Sequence, residues 1–262
     1  MSKTLLVIGA SSDIGSELIR KVYRNYDVIL AHYNSSRTVI DELSNELSSN
    51  NTNSDITDNS ADAGTAKAHA LVPIQANFMD AASIDKMITW IRDNNYTPDH
   101  IVHFASPKIH IQRFSKCDIN DFSRELTCSF ESVVRILLAF MPNMAKQKSG
   151  KVIFTLTSDT LNMPPKYQSP YVAAKYALMG LMRSLTTEYA ASGITVNGVS
   201  PEMTQTKFLS EVQPLIVEQN AANNPMKRNL VVNDIIPLYE YLLSDAASMV
   251  TGQNIGITGG RS

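Results

Sequence analysis

Thr4-Leu-Leu-Val-Ile-Gly-Ala-Ser-Ser-Asp-Ile-Gly15 is the stretch on which the fold turns. Thr4 to Ile8 is a near-continuous apolar run, which predicts a strand covered on both faces. Gly9 ends it, small residues follow, and Ser16 to Tyr26 reads as a helix. A strand that passes through a glycine turn into a helix leaves backbone N–H groups at the helix N-terminus. Those groups and the helix dipole suit a pyrophosphate, and a glycine lets the backbone approach it closely. Asp13 stands where a third glycine would help. A carboxylate facing pyrophosphate would repel it, so the side chain is expected to point outward to solvent.

The rhythm set by this stretch continues. Asp27 to Ala31, Leu71 to Gln75, His100 to Phe104, Lys151 to Leu156 and Thr195 to Val199 are further strand candidates, separated by helix-length segments such as Thr38 to Leu47. Apolar strands alternating with helices predict an α/β fold, a parallel sheet with helices on both faces. Residues 48–68 break the rhythm, being rich in Asn, Ser, Asp and Ala. They read as a long flexible surface insertion, with a flap over the cofactor site as the functional alternative. No repeat or linker divides the 262 residues, so one domain over 1–262 is expected.

Composition narrows the function classes. The formal net charge is −2 and the basic residues are scattered, which argues against a nucleic-acid or membrane partner. Cys117 and Cys128 are the only cysteines, too few for a disulfide framework. With no targeting segment or apolar span in the sequence, a cytoplasmic location is expected. His100, His103 and His110 lack companions at metal-ligand spacing, so no metal is expected and each reads as a satisfied structural histidine. Phe130, Val133, Val134, Leu137, Leu138 and Met141 read as core or subunit-interface packing.

The second strand ends in Ala31-His-Tyr-Asn-Ser-Ser-Arg37, with no acid between Asp27 and Asp41. A site for NAD(H) would place a carboxylate here for the ribose hydroxyls. Arg37 behind two serines, with His32 close by, suits a 2′-phosphate and so NADP(H).

Ser169-Pro-Tyr171-Val-Ala-Ala-Lys175 opens a helix running to about Ala190. Four residues separate Tyr171 from Lys175, which puts them on one helix face. A tyrosine titrates near 10, and a neighbouring ammonium is expected to lower that value. Ser158, thirteen residues before Tyr171, stands at the end of the strand from Lys151 and is placed to bind a substrate oxygen. Thr157 is adjacent, and only the spacing favours Ser158.

On these motifs the chain resembles the short-chain dehydrogenase/reductase family in its single-domain Tyr-x3-Lys form. The likeness extends to Val196-Asn-Gly-Val-Ser-Pro201 with Thr206, and to Thr251-Gly-Gln-Asn-Ile255 with Gly259-Gly260. In style it is closest to the 3-oxoacyl thioester reductases. The resemblance implies a Rossmann-type doubly wound sheet of about seven strands, pro-S hydride transfer and a homodimer or homotetramer. It implies Ser158, Tyr171, Lys175 and Ser129 as the catalytic set. For cofactor binding it implies Gly9, Ser11, Ser12, Ile14, Gly15, Tyr33, Asn34, Ser35, Arg37, Asn77, Phe78, Ala105, Ser106, Tyr171, Lys175, Pro201 and Thr206.

This sequence also departs from the family. His103-Phe-Ala-Ser106 replaces an Asn-Asn-Ala-Gly, Asn77 replaces an aspartate on the adenine amino group, and Glu202 replaces a glycine. Ser129 aligns with the proton-relay asparagine, and a shorter hydroxyl there implies slower turnover. The leading expectation is an NADP(H)-dependent oxidoreductase interconverting a ketone and a secondary alcohol. Its substrate is a small carbonyl or alcohol, with a carrier-bound 3-oxoacyl thioester as one candidate. The alternatives are an alcohol or sugar-alcohol dehydrogenase and a non-catalytic cofactor-binding or scaffold member. Enoyl reduction is disfavoured by the Tyr–Lys spacing and by Gln168. Apolar Phe208, Leu209, Val212 and Leu215 are expected to wall the substrate pocket.

Overall fold

The structure, a computed structural model, describes residues 3–54 and 69–261. Its strands are β1 Thr4–Ile8, β2 Val28–Tyr33, β3 Ala70–Gln75, β4 His100–His103, β5 Gly150–Thr155, β6 Ile194–Pro201 and β7 Asn254–Ile257. They form one sheet in the order β3-β2-β1-β4-β5-β6-β7, parallel at every pairing. The chain order reverses between β1 and β4. At such a switch point the loops leaving adjacent strands part to opposite faces and open a crevice.

Strand β1 shows why the sheet forms. Leu6 and Ile8 enter the core on one face, Leu5 and Val7 the core on the other, and all four are fully buried. Burial is worth roughly 1.5–3 kcal/mol for each such side chain. The first core is completed by α3 Ala81–Asp93, α5 Ser132–Gln147 and α6 Ser169–Tyr189, through Met87, Phe140 and Leu178 among others. The second is completed by α1 Asp13–Val22, α2 Arg37–Ser54 and α8 Val232–Leu243, through Leu18, Leu43 and Tyr239. The expected doubly wound architecture is thus present. Of the apolar stripe, Val133, Leu137 and Met141 are core, while Leu138 is 73% exposed.

The expected insertion at 48–68 needs a correction at its start. Helix α2 does not stop at Leu47 but runs to Ser54. Ser48 and Ser49 each donate a hydroxyl to a carbonyl one turn back, at Ser44 and Asn45, both 2.8 Å. Such back-bonding satisfies the hydroxyls within the helix itself and adds nothing to its stability. The remainder of that reading, including a flap, lies outside the described residues.

Two elements carry chemistry later. Short helix α4 Ile119–Glu125 is capped by Asp118 and Asp121, then widens into a π-turn over Leu126–Glu131 before α5. Widened turns of this kind concentrate at functional sites. Helix α7 Pro214–Asn223 follows the segment after β6, and Phe208, Leu209 and Val212 of that segment pack with Ile109 and Tyr171. Among the described residues no helix is long and apolar enough to cross a membrane.

Candidate active site

A cavity of about 1210 Å³ opens at the C-terminal edge of the sheet, over the switch point. Gly9 (φ +81°) lies at its floor, where a Cβ would come within 3.1 Å of the Ala105 amide. That close approach of β1 to the end of β4 is available to glycine alone. The Ser12 hydroxyl donates to the Gly9 carbonyl (2.7 Å) and accepts from the Gly15 amide (3.1 Å), closing the turn and capping α1. A Cβ on Gly15 would meet the Gly9 carbonyl at 2.5 Å. Gly15 is therefore a packing position and does not line the cavity.

His32 is not the phosphate ligand its position implied. Its Nδ1 accepts from the Gly9 amide (3.0 Å), which leaves Nε2–H to donate to the Ala76 carbonyl (3.1 Å). Burial holds the ring neutral, with its pKa lowered to about 4, and it stacks on Phe78 at 4.1 Å. It fastens the glycine turn to the end of β3. The sequence offered a signal, a polar residue inside a buried strand, without showing which backbone groups it would meet.

Asp13 also departs from expectation. Its carboxylate lines the cavity, accepting from the Lys207 amide at 2.6 Å with the Lys207 ammonium 4.0 Å away. It ties the phosphate turn to the segment after β6. Asp13→Asn keeps an acceptor for the amide and removes the charge, so a pyrophosphate-containing ligand is expected to bind about tenfold tighter, on the order of 1 kcal/mol. Fluorescence titration at two salt concentrations checks this, and weaker binding by the variant counts against it.

The turn fits a dinucleotide. It combines a cradle that a side chain would fill with the open N-terminus of α1, where Ser11, Ser12 and Ile14 face the cavity. Asn34, Asn77, Phe78, Ala105, Ser106, Pro201 and Thr206 line the same space, as expected. Asn77 already accepts from the Met79 amide through its side-chain oxygen. Tyr33 is buried in the core, and neither Tyr33 nor Ser35 reaches the lining. Arg37 is the first residue of α2, 63% exposed, with its guanidinium 3.4 Å from Asp41. It too lies outside the lining, where Ser36 stands instead.

The reacting groups gather at the other end. Tyr171 and Lys175, on α6, are 9% and 3% exposed. The Lys175 ammonium donates to the Thr155 carbonyl (2.9 Å) and sits 5.4 Å from the centre of the Tyr171 ring. Burial lowers Lys175 to about 8, with Glu125 opposing. The expected lowering of Tyr171 by Lys175 is not the governing effect. Burial holds the phenol above its ordinary value, the neighbouring Thr157 hydroxyl pulls it down, and Asp159 and Glu125 push it up.

Strand β5 ends at Thr155, and Thr157 caps a single turn at Ser158–Thr160. Ser158 and Thr157 both face the cavity. The Thr157 hydroxyl donates to Asp159 Oδ2 (3.3 Å) and accepts from the Asp159 amide (3.4 Å), and it is the one of the two that acts on the phenol's charge. Ser129 is fully buried in the π-turn, outside the cavity lining, with its hydroxyl 3.5 Å from that of Ser106.

Several wall residues were not anticipated. Asp159 is raised to about 6, by burial first and then by Glu202. Glu202 accepts from Asn220 (3.2 Å) and Arg261 (3.1 Å). Leu215, expected in the wall, is 60% exposed. His103 is fully buried with no partner on either ring nitrogen among the described residues, so it is not the satisfied histidine expected. His100, in contrast, is bonded to the Tyr26 hydroxyl at 2.6 Å. No metal-binding cluster occurs among the described residues.

A phosphate cradle and a buried Tyr–Lys pair on one crevice of a doubly wound sheet define a dinucleotide-dependent oxidoreductase. Comparison with known proteins gives the family. A family model described as enoyl-(acyl carrier protein) reductase matches residues 45–262. The D-beta-hydroxybutyrate dehydrogenase of Rhizobium meliloti is 25% identical over 99% of this chain and 98% of its own. The 3-oxoacyl-(acyl-carrier-protein) reductase FabG of Staphylococcus epidermidis is 26% identical over 99% of each. A 3-oxoacyl-(acyl-carrier protein) reductase of Brucella melitensis, solved with bound NAD, shares the fold, with a TM-score of 0.82 and 19% identity over 98% of this chain and 90% of that one. The chain belongs to the short-chain dehydrogenase/reductase family, whose members use a nicotinamide cofactor to interconvert CH–OH and oxo groups.

Proposed function

We propose that the protein reduces a ketone to a secondary alcohol, and catalyses the reverse, with NADP(H) as cofactor. The observation that carries this is the grouping of Tyr171, Lys175 and Thr157 in the cavity that also holds the glycine turn. The bound nicotinamide supplies or accepts the hydride. Tyr171 gives its phenol proton to the oxygen that becomes the alcohol, and the Thr157 hydroxyl holds that oxygen in line. Lys175, fixed on the Thr155 carbonyl, keeps positive charge beside the phenol as it ionises. Ser11, Ser12 and Ile14 would hold the phosphates, Asn77 and Phe78 the adenine side, and Pro201 and Thr206 the nicotinamide side. Four-residue spacing of Tyr171 and Lys175, with Gln168, favours C=O over C=C reduction.

Preference for NADP(H) rests on the end of β2, which has no carboxylate for the ribose hydroxyls and has Arg37 opening the next helix. Arg37 must leave Asp41 to reach a 2′-phosphate. An exposed pair of this kind is worth at most about 1 kcal/mol, so little opposes the move. Arg37→Ala is expected to weaken NADPH binding about tenfold, the loss of one charge-assisted bond of roughly 1.5 kcal/mol. NADH binding should hardly change, and equal loss for both cofactors would contradict the assignment.

The curated relatives favour a 3-oxoacyl thioester or a 3-hydroxy acid as substrate. A polyhydroxy substrate is the second reading, favoured by Asp159, Glu202 and Asn220 in the wall. Steady-state rates on 3-oxoacyl thioesters, simple ketones and keto-sugars separate the two, and binding of neither NADPH nor NADH would sink both. The same reading takes the protein as a cytoplasmic homodimer or homotetramer, with exposed Leu138 on α5 facing the second copy.

A further inference from the structure

Glu125, the last residue of α4, is 2% exposed. Its Oε1 lies 3.8 Å from the Arg124 guanidinium, beyond hydrogen-bond length, and its Oε2 has no hydrogen-bond partner among the described residues. A buried carboxylate this poorly paired is costly to the fold, a cost that an apolar side chain of like size avoids. Folding of α4 does not need it, because Asp118 and Asp121 already cap that helix.

What it does have is a position. Glu125 lines a small cavity of about 10 Å³, the room of a single water. Tyr171 and Pro170 of α6 line the same cavity, as do Asp121, His110 and Gln112. His110 is exposed at the surface. Glu125 and Tyr171 thus share one water-sized space, and the exposed His110 stands at its rim. Ser129, which the family resemblance puts in the relay, is fully buried outside the cavity lining, with its hydroxyl 3.5 Å from that of Ser106.

We propose that Glu125 is the relay acid of this enzyme, returning to Tyr171 the proton that the phenol gives to product and reloading from solvent past His110 and Asp121. The proposal rests on the ketone-reductase reading above. In reduction the phenol O–H breaks as the alcohol O–H forms. The phenolate then takes a proton from the Glu125 carboxylic acid through one water in the shared cavity, and the carboxylate takes one from solvent. Oxidation runs the same transfers backward.

Lys175 on α6 and Arg124 on α4 act on its charge, and it acts in turn on Tyr171 and on Cys128 in the π-turn, while Asp121 and His110 face it across the small cavity. His103 on β4, which Lys175 influences, is held neutral by burial. Burial raises the Glu125 carboxyl to about 7, with Lys175 and Arg124 opposing. The acid form is thus present below about pH 7 and lost above it, so the reduction rate falls as pH rises through that value.

Two measurements test the proposal. The first needs no turnover. Carbon-13 spectra of carboxyl-labelled glutamates should show one group titrating near 7, absent from Glu125→Gln and moved upward in Lys175→Met. If no glutamate titrates above about pH 6, the proposal is overturned. The second is kinetic. Glu125→Gln should lower the kcat of reduction about a hundredfold at low pH, the lower end of what a positioned acid contributes, with KM and NADPH binding unchanged. The inflection near 7 should vanish, and that of Lys175 should move lower, since Glu125 raises it. Glu125→Asp should recover part of the rate and the inflection. A purely structural role would lower the melting temperature and kcat while leaving the pH profile intact, and that result overturns the relay. If the carboxyl titrates as stated but the unmodified protein turns over no carbonyl, the ketone-reductase reading falls and the relay falls with it.

Discussion

Tyr171→Phe is expected to lose about 10²- to 10⁴-fold in kcat, the contribution of a positioned general acid, while binding NADPH as the unmodified protein does. The substitution removes one oxygen and little else. The ring keeps its place beside Phe208, 6.2 Å between centroids, and in the apolar cluster with Ile109 and Val212. Its cost in stability is small, because the Thr157 hydroxyl keeps its bonds to Asp159. Lys175 is held by the Thr155 carbonyl and not by the phenol, so the cofactor side of the pair stays in place. Nicotinamide fluorescence and single-turnover rates measure the two halves separately. Turnover within a few fold of the unmodified protein would remove Tyr171 from its role. Loss of NADPH binding would mean that the phenol holds the cavity open instead of acting as an acid.

The sequence announced the sheet because burial on both faces leaves a plain mark. Thr4 to Ile8 is read and observed with the same bounds, since every residue of β1 is buried. Helix α2 left no such mark beyond Leu47. Its extension is made of polar residues whose serine hydroxyls turn back onto helix carbonyls, and the same residues read as loop formers because they favour turns as readily as helix. The phosphate turn was legible from Gly9 and Gly15, whose roles are steric and local. The fates of Asp13, His32 and His103 were not, because each depends on groups distant in sequence. Asp13 meets Lys207, and His32 bridges Gly9 and Ala76. Arg37 shows how a surface pair hides from sequence: its spacing suited a phosphate, while in the structure it rests against Asp41 one turn on, an exposed contact it must leave to take that role.

A one-residue difference in where β5 ends favours Thr157 over Ser158 for the last catalytic role we propose. Counting back thirteen residues from Tyr171 selects Ser158. The strand, however, runs from Gly150 to Thr155, so the chain leaves the sheet one residue earlier than Lys151 to Leu156 implied. Thr157 then caps the turn, extended in backbone and acting on the phenol's charge, while Ser158 begins the turn. In the resting site the Thr157 hydroxyl donates to Asp159 Oδ2 at 3.3 Å, so it must turn from that carboxylate to meet a substrate oxygen. A hydroxyl aimed at a developing oxyanion contributes on the order of 10²-fold. Thr157→Val, which keeps the shape and removes the donor, is therefore expected to lower kcat/KM about a hundredfold. Thr157→Ser, which restores the donor, should recover most of it. Ser158→Ala should stay within a few fold of the unmodified protein. The Asp159 amide, which bonds to the Thr157 hydroxyl at 3.4 Å, loses that acceptor in the valine variant. Part of the loss is thus a loosened turn, and a second substitution, Asp159→Asn, tells the parts apart. It leaves the hydroxyl and the amide in place while removing the carboxylate that raises Tyr171. A large loss in Ser158→Ala with Thr157→Val active would return the role to Ser158 and restore the thirteen-residue count.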